Sequence, residues 1–241
     1  MAETVALCLA AVEARSPVAH MSMNAAKLVT VWDDPEMRQI VEACDIVSAD
    51  GQSIVWASKL LGDPLPERVA GIDLMHELLA KAARRDYSVY ILGAEREVLE
   101  RGVERLREDY PGLRLAGWRD GYFTAAEEPG IIEAIHAAQP DLLFIAMSSP
   151  RKERFLGRHG ASLAVPFVMG VGGAIDVVAG TTRRAPRSWQ RLGLEWLFRL
   201  LQEPRRMLRR YTTTNARFAW TLAREVASRR VPGRRHRRAT P

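Results

Sequence analysis

The sequence predicts an α/β fold, a mainly parallel sheet covered by helices, with a helical appendage at the C-terminal end. Through residue 180, short apolar segments of strand length alternate with longer segments that have helical spacing. This alternation is typical of βα units and a parallel sheet. Several apolar segments end in small or acidic residues, among them Ser48, Asp50 and Gly93. Open α/β sheets carry their chemistry at such strand ends.

Local patterns predict the individual elements in chain order. Helices are predicted over residues 3–14, 34–43, 54–61, 72–85, 97–110 and 128–138, and strands over residues 18–22, 44–48, 88–93, 113–117 and 141–147. Pro35 suits a helix start, because a first-turn residue needs no intrahelical N–H donor. Val98, Val103 and Leu106 recur among charged residues, as in a solvated amphipathic helix. The glycines of residues 170–173 end a further strand, but they lack the G-x-G-x-x-G spacing of a dinucleotide loop.

The pattern changes after Gly180. Residues 190–202 have the spacing of an apolar helix, and Pro204 restarts a second helix, in which Phe218 and Leu222 lie on an apolar face opposite a face of arginines. Such a helix either lies on an anionic membrane or docks on the body with its charged face in water. We therefore expect an α/β domain at residues 1–180, a helical appendage at residues 181–228, and a basic disordered tail at residues 229–241.

The C-terminal segment and the preceding residues differ in net charge. Seventeen arginines and three glutamates give residues 183–241 a balance of +14, so with +6 for the whole chain the preceding residues carry −8. A basic segment of this kind binds phosphates, nucleic acid or anionic lipid. No apolar run reaches the ~20 residues that span a bilayer, and the first residues lack a signal-peptide pattern, so the cytosol is expected. Cys8 and Cys44 are expected to be reduced core thiols.

Asp50 is the candidate catalytic residue. It follows the predicted strand at residues 44–48, and the helical segment at residues 54–61 can return Arg68 to the same edge of the sheet. The alternative is that the Asp50 carboxylate only caps that helix by accepting its amide hydrogens.

Three segments resemble the WecG/TagA/CpsF family of bacterial glycosyltransferases. They are MSSPRKE at residues 147–153, VMGVGGAIDVVAG at residues 168–180, and residues 184–205 with Arg-Ala-Pro and Gly-Leu-Glu-Trp. The resemblance runs from about residue 22 to about residue 211. It implies a GT-E-like fold and a metal-independent, inverting transferase of the hexosyltransferase type. Such an enzyme moves a sugar from a nucleotide donor, typically UDP-linked, to a polyprenyl-diphosphate-linked sugar in cell-envelope or extracellular polysaccharide synthesis. No cofactor is implied, and the chain has no Asp-x-Asp pair for a divalent cation.

The same resemblance suggests roles for residues near Asp50. Asp50 matches the family's proposed general base. Arg68 matches an arginine near the site that would bind phosphate, with an ion pair to Asp73 or Glu67 as the alternative. Asn24 matches a family asparagine, and Ser22 keeps the hydroxyl that the family carries two places earlier as threonine.

Three further positions correspond to donor contacts. Tyr122 would stack on the base or ribose, unless it only packs in its turn. Asp176 would accept hydrogen bonds from the base or ribose, unless it only caps the helix after Gly173. Lys152 stands where many members have glutamine, and a cation there cannot accept hydrogen bonds. This departure suggests a donor without an N-acetyl group, or one with an acid.

The resemblance also gives the appendage a role. Arg199, Arg206 and Arg209 match arginines that the family is thought to bring to the lipid-linked diphosphate. We therefore expect a peripheral protein on the inner face of the cell membrane, whose exposed apolar surface makes self-association a further expectation. Two rival functions remain open: a family member without activity that serves as a membrane assembly subunit, and a nucleic-acid-binding protein. The chain lacks a recognisable nucleic-acid module, so no nucleic-acid partner is expected.

Overall fold

A single sheet of six parallel strands, with helices on both faces, forms the body of the protein. The computed structural model describes residues 1–191, 193–202 and 204–230, without the side chains of residues 191, 199, 205–211, 229 and 230. In this part of the chain the strand order is β2-β1-β6-β5-β3-β4, which confirms the predicted α/β class. The strands are β1 Val18–Met23, β2 Ile46–Ala49, β3 Ser88–Gly93, β4 Arg114–Arg119, β5 Leu142–Ala146 and β6 Phe167–Gly170.

The helices fill the connections between these strands. They are α1 Ala2–Ala14, α2 Ala25–Asp33, α3 Pro35–Glu42, α4 Gln52–Leu60, α5 Gly71–Arg85, α6 Arg96–Asp109, α7 Glu128–Ala138, α8 Arg151–His159, α9 Ala174–Val178, α10 Arg187–Arg191, α11 Glu195–Gln202 and α12 Pro204–Arg230. No helix in the described residues combines the length and hydropathy needed to cross a bilayer.

Side-chain alternation along the central strands divides the core into two layers. On β3, Val89 and Ile91 pack on one face with α1, α5 and α6, whereas Tyr90 and Leu92 pack on the other face with α3, α7 and α8. Every residue of β3 and β5 is buried. Strands covered on both faces have near-continuous apolar sequences, which is why the sequence predicted them well.

Three helical predictions need correction, the first being the absence of any predicted helix where α8 occupies Arg151–His159. The sequence analysis predicted no helix between residues 22 and 34, but α2 occupies Ala25–Asp33 and is capped by Asn24. The single helix predicted over residues 190–202 is wrong, because α10 ends at Arg191 and α11 begins at Glu195. Gly193 between them has φ +71°, a left-handed conformation that glycine adopts without strain.

The second half of α12 docks on the body through α2. Phe218 is buried with Ala25, Val29 and Ala57 in a small apolar cluster against which Leu222 also packs. The Phe218 ring stacks on Trp32 at 6.4 Å between centroids. Thus the part of the apolar face that includes Phe218 and Leu222 covers the body, as in the docked alternative. The helix continues to Arg230, into the range expected to be tail, and residues 231–241 lie outside the described residues.

Candidate active site

The candidate site lies at the carboxyl ends of the strands, beside a change in strand direction. β1 pairs with β2 on one side and with β6 on the other. The chain therefore runs from β1 to its neighbour on one side, and its last strand, β6, lies on the other side of β1. Open α/β sheets typically bind their ligands at such a point. The polar residues predicted at the ends of β1 and β2 therefore lie on one side of it, and the glycine turn after β6 lies on the other.

Asp50 is held between the end of β2 and the start of α5. Its backbone N–H donates to the Met23 carbonyl at 2.8 Å, and its carboxylate Oδ1 accepts the Gly71 N–H at 3.1 Å. Gly71 is the first residue of α5, whose N-terminal end favours negative charge. Asp50 therefore does cap a helix with its side chain, and that helix is α5, which begins at Gly71.

Ser22 and Asn24 lie next to Asp50. A Cβ added to Gly51 would come 3.3 Å from Cβ of Asn24, and one added to Gly71 would come 3.0 Å from Oγ of Ser22. Asn24 caps α2 by accepting the Lys27 N–H at 3.0 Å, which fixes its side chain. The structure thus brings Ser22, Asn24 and Asp50 together at one edge of the sheet.

Arg68 also reaches this edge, but the carboxylate that it pairs with is neither Asp73 nor Glu67. The Val69 N–H donates to the Ala49 carbonyl at 2.8 Å, which ties the segment after Arg68 to the end of β2. The Arg68 guanidinium donates to Glu195 of α11 at 2.7 Å. Asp73 pairs instead with Arg184, through two bonds of 2.6 and 2.7 Å. The sequence analysis assigned no role to Arg184 or Glu195.

Lys152 belongs to a buried group of three charges, Lys27, Lys152 and Glu153. Oε1 of Glu153 lies 2.9 Å from Nζ of Lys152 and 3.0 Å from Nζ of Lys27, and all three residues are buried. Burial raises the pKa of Glu153, but the two lysines outweigh it and lower that pKa to about 2. Lys27 also donates to the Ser22 carbonyl at 2.6 Å. A buried carboxylate between two cations stays ionised at neutral pH.

The ammonium of Lys152 faces the glycine turn after β6. A Cβ on Gly170 would lie 3.0 Å from Cδ of Lys152, and one on Gly172 would lie 4.0 Å from its Nζ. Gly172 has φ +56°. Glycine at position 170 leaves the space that the lysine side chain occupies, and the positive φ favours glycine at position 172.

Asp176 and Tyr122 lie farther along the same edge. Asp176 is in the first turn of α9, and its Oδ2 lies 3.5 Å from a Cβ built on Gly173. Tyr122 follows β4, the edge strand opposite β2, and is 74% exposed, so it does not pack into its turn. Its neighbour Gly121 donates to the Ala94 carbonyl at 2.8 Å, so the turn leans over β3. The structure groups the Tyr122 turn with the ends of β3 and β5, whereas Asp50 lies at the end of β2 toward the opposite side of the sheet.

Some assignments fall outside the described side chains. Arg199, Arg206 and Arg209 lie on α11 and α12, but their side chains are not among those described. Within residues 1–191, 193–202 and 204–230, no three His, Cys, Asp or Glu side chains converge as metal ligands would.

Comparison with known proteins identifies the family to which the chain belongs. A family model described as the glycosyl transferase WecG/TagA/CpsF family matches residues 1–232 of the 241. The match includes every candidate site residue, together with Arg184, Glu195 and Glu153. It supports a glycosyltransferase that takes a nucleotide-sugar donor and a sugar acceptor.

Proposed function

We propose, from the premise that the chain belongs to the WecG/TagA/CpsF glycosyltransferase family, that it transfers a sugar with inversion from a UDP-linked donor to a polyprenyl-diphosphate-linked sugar. The observation that carries this proposal is the position of Asp50, a single carboxylate fixed by the Gly71 amide beside Ser22 and Asn24. Inversion by one displacement needs one general base.

In the proposed reaction, Asp50 accepts the proton of the acceptor hydroxyl as that oxygen attacks the anomeric carbon of the donor. The bond between that carbon and the UDP phosphate oxygen breaks on the opposite face of the sugar, and UDP leaves with the electron pair. The developing charge on the diphosphate is stabilised by cations and backbone amides. Arg68 and the glycine turn beside Lys152 are the groups to which we assign this role.

Lys152 selects the donor in this proposal. Its ammonium faces Gly172 and is paired with Glu153, so it is fixed where a family glutamine would offer a neutral amide. A cation donates hydrogen bonds but does not accept them. The preferred donor is therefore a hexose or a hexuronic acid, and not an N-acetylhexosamine. Tyr122 and Asp176 contact its nucleotide.

The enzyme works at an anionic membrane surface, where its lipid-linked acceptor lies. The +14 balance of residues 183–241 supports this, because each basic residue near such a surface contributes about 1 kcal/mol. Since Phe218 and Leu222 pack on the body, the membrane contact falls to exposed residues such as Trp196, Leu201 and Trp220. Trp is typical of membrane interfaces. Arg199, Arg206 and Arg209 bind the acceptor diphosphate.

The decisive experiment compares Asp50→Asn with a matched control at the other end of β2. Transfer is measured with a panel of UDP-sugars and a purified polyprenyl-diphosphate-linked acceptor, and UDP binding is measured by calorimetry. Asp50→Asn should bind UDP like the parent and lose about 10²- to 10⁴-fold in kcat, the contribution of a general base. Asp45 precedes β2 and accepts the Ala19 N–H at 2.8 Å at the opposite end of the strand. Asp45→Asn should therefore transfer like the parent.

Two results would contradict the proposal. If Asp50→Asn keeps kcat within a few-fold of the parent, Asp50 is not the general base. Loss of transfer on chelation, restored by Mg²⁺ or Mn²⁺, would contradict the metal-independent mechanism.

A further inference from the structure

Four charged side chains form a continuous network at the start of α5. Arg68 donates to Oε2 of Glu195 at 2.7 Å, and Nε of Arg184 lies 3.7 Å from Oε1 of the same carboxylate. Arg184 also binds Asp73 through both terminal nitrogens. We call Arg68, Asp73, Arg184 and Glu195 the α5 network. Its two arginines and two carboxylates balance, and its members are partly shielded from solvent.

Gly193 and the first turn of α11 bring Glu195 to this place. Glu195 is the first residue of α11, and the turn before it rests on α4. A Cβ on Gly193 would come 2.8 Å from Cγ of Gln52, and the φ of +71° at Gly193 disfavours any other residue. Farther along, the Gln202 side-chain amide donates to the Arg183 carbonyl at 3.0 Å. These contacts fix the carboxylate against the body.

The network adjoins the proposed general base. Asp50 accepts the N–H of Gly71, which is two residues before Asp73 on the first turn of α5. Arg68 lies just before Val69, whose N–H binds the end of β2. The carboxylates of both groups also act on Arg184. The hydrogen bond with Asp73 raises the pKa of Arg184, and the charges of Glu195 and Asp50 raise it further. Because Arg68 lies beside the end of β2, a shift of its side chain would move a cation at the edge of the reacting centre.

We propose that Glu195 is a positioning residue for sugar transfer, which fixes the Arg68 guanidinium so that its remaining N–H groups face the substrate phosphates. This rests on the phosphate-binding role proposed for Arg68. A guanidinium carries five N–H donors in a rigid fork, so an ion pair through one nitrogen leaves others for a second anion. Residues 184–195 thereby belong to the catalytic unit, whereas α12 docks on α2 separately.

The test is a double-mutant cycle between Arg68→Ala and Glu195→Gln, with kcat and KM measured for donor and acceptor and UDP binding as a check of folding. Glutamine keeps the size of Glu195 and removes its charge. We expect Glu195→Gln to lower kcat/KM by about 10- to 100-fold, the cost of misplacing a group by about 1 Å. In the Arg68→Ala background, Glu195→Gln should have no further effect, whereas a merely structural residue would lower transfer in both backgrounds.

Two further variants complete the design. Gly193→Ala displaces the turn without removing the Glu195 charge, and should also lower kcat/KM while UDP still binds. The matched control is Asp33→Asn, which removes another carboxylate that joins the body to the C-terminal helices, through Arg217 on α12. This variant should transfer like the parent with a soluble acceptor analogue.

The outcomes separate the inference from the proposed function. If Arg68→Ala impairs transfer but Glu195→Gln does not, or if their effects are additive, Glu195 does not position Arg68. Faster transfer in Glu195→Gln would overturn the inference as well, since Glu195 would then compete with substrate for Arg68. If Arg68→Ala transfers like the parent, the phosphate role of Arg68 is itself wrong.

Discussion

Replacing Phe218 by alanine should undock α12 from α2 while the sheet and the helices on its two faces stay folded. Phe218 is 7% exposed, and its apolar neighbours form a cluster separate from the two that cover the sheet. The cost of losing the ring therefore falls on the contact between α12 and the body, not on the main core.

The size of the effect follows from this burial. Removing a buried Phe side chain from its contacts costs about 2 to 3 kcal/mol of transfer free energy, and the stacked pair with Trp32 adds about 1 kcal/mol. The exposed ion pair of Arg217 with Asp33 remains, but solvent screens it and it contributes little. We expect the docking free energy to fall by about 3 kcal/mol, which raises the open population roughly 100-fold.

Limited digestion with trypsin measures that population, because α12 is rich in arginine and cleavage follows the open state when closing is fast. The control is Trp220→Ala, since Trp220 lies on the same helix but is 69% exposed and should leave the digestion rate unchanged. Equal digestion of Phe218→Ala and the parent, or equal acceleration in both variants, would refute the assignment of this face to docking.

Three other predictions concern buried charge and the appendage. Burial, together with nearby Lys27, lowers the pKa of His20 from 6.5 to about 4, so the unfolded chain binds its proton first and stability falls as pH drops through that window. Urea unfolding should show that the free energy of unfolding falls by roughly 2 to 3 kcal/mol because of this group between pH 7 and 4.5. This decrease should be absent in His20→Gln; an equal decrease in both proteins would contradict the role of His20. Lys152→Gln should change the ranking of UDP-hexose, UDP-N-acetylhexosamine and UDP-hexuronate in transfer assays, and an unchanged ranking would contradict donor selection by Lys152. Deleting residues 203–241 removes Trp220 and most of the C-terminal arginines, and should strongly reduce sedimentation with anionic vesicles but keep UDP binding; a truncated protein that sediments like the parent would place the membrane contact elsewhere.

The sequence predicted the strands well, because buried parallel strands are marked by apolar segments and their ends by small or acidic residues. Ser22, Asn24 and Asp50 are close together for that reason: adjacent parallel strands bring their ends to one edge. Helix α2 was missed because Val29, Thr30 and Val31 are β-branched and weaken the helical signal, while tertiary packing of the helix overrides that preference.

Contacts between distant segments could not be predicted in the same way. Arg68 and Glu195 are 127 residues apart, and no local pattern distinguishes a glutamate that pairs with an arginine from one that faces water. The sequence offered Asp73 and Glu67 as partners of Arg68 because they are near in the chain. In the folded protein, Arg184 takes Asp73 and the N-terminal amine takes Glu67, so both nearby candidates are engaged by partners that only the fold supplies.

The apolar face of α12 shows why amphipathicity alone does not identify a membrane helix. The same spacing of Phe218 and Leu222 suits a lipid surface or a protein surface, because both are apolar and lie on one side of the helix. What decides is whether the body offers a complementary face, and α2 does so with Trp32, Val29 and Ala25. With this face covered, apolar contact with lipid requires residues that point away from the body, and on α12 that places Trp220 beside Arg224 on the outer side. A Trp beside a basic residue suits the membrane interface better than its hydrocarbon interior, so the docked helix remains compatible with peripheral binding.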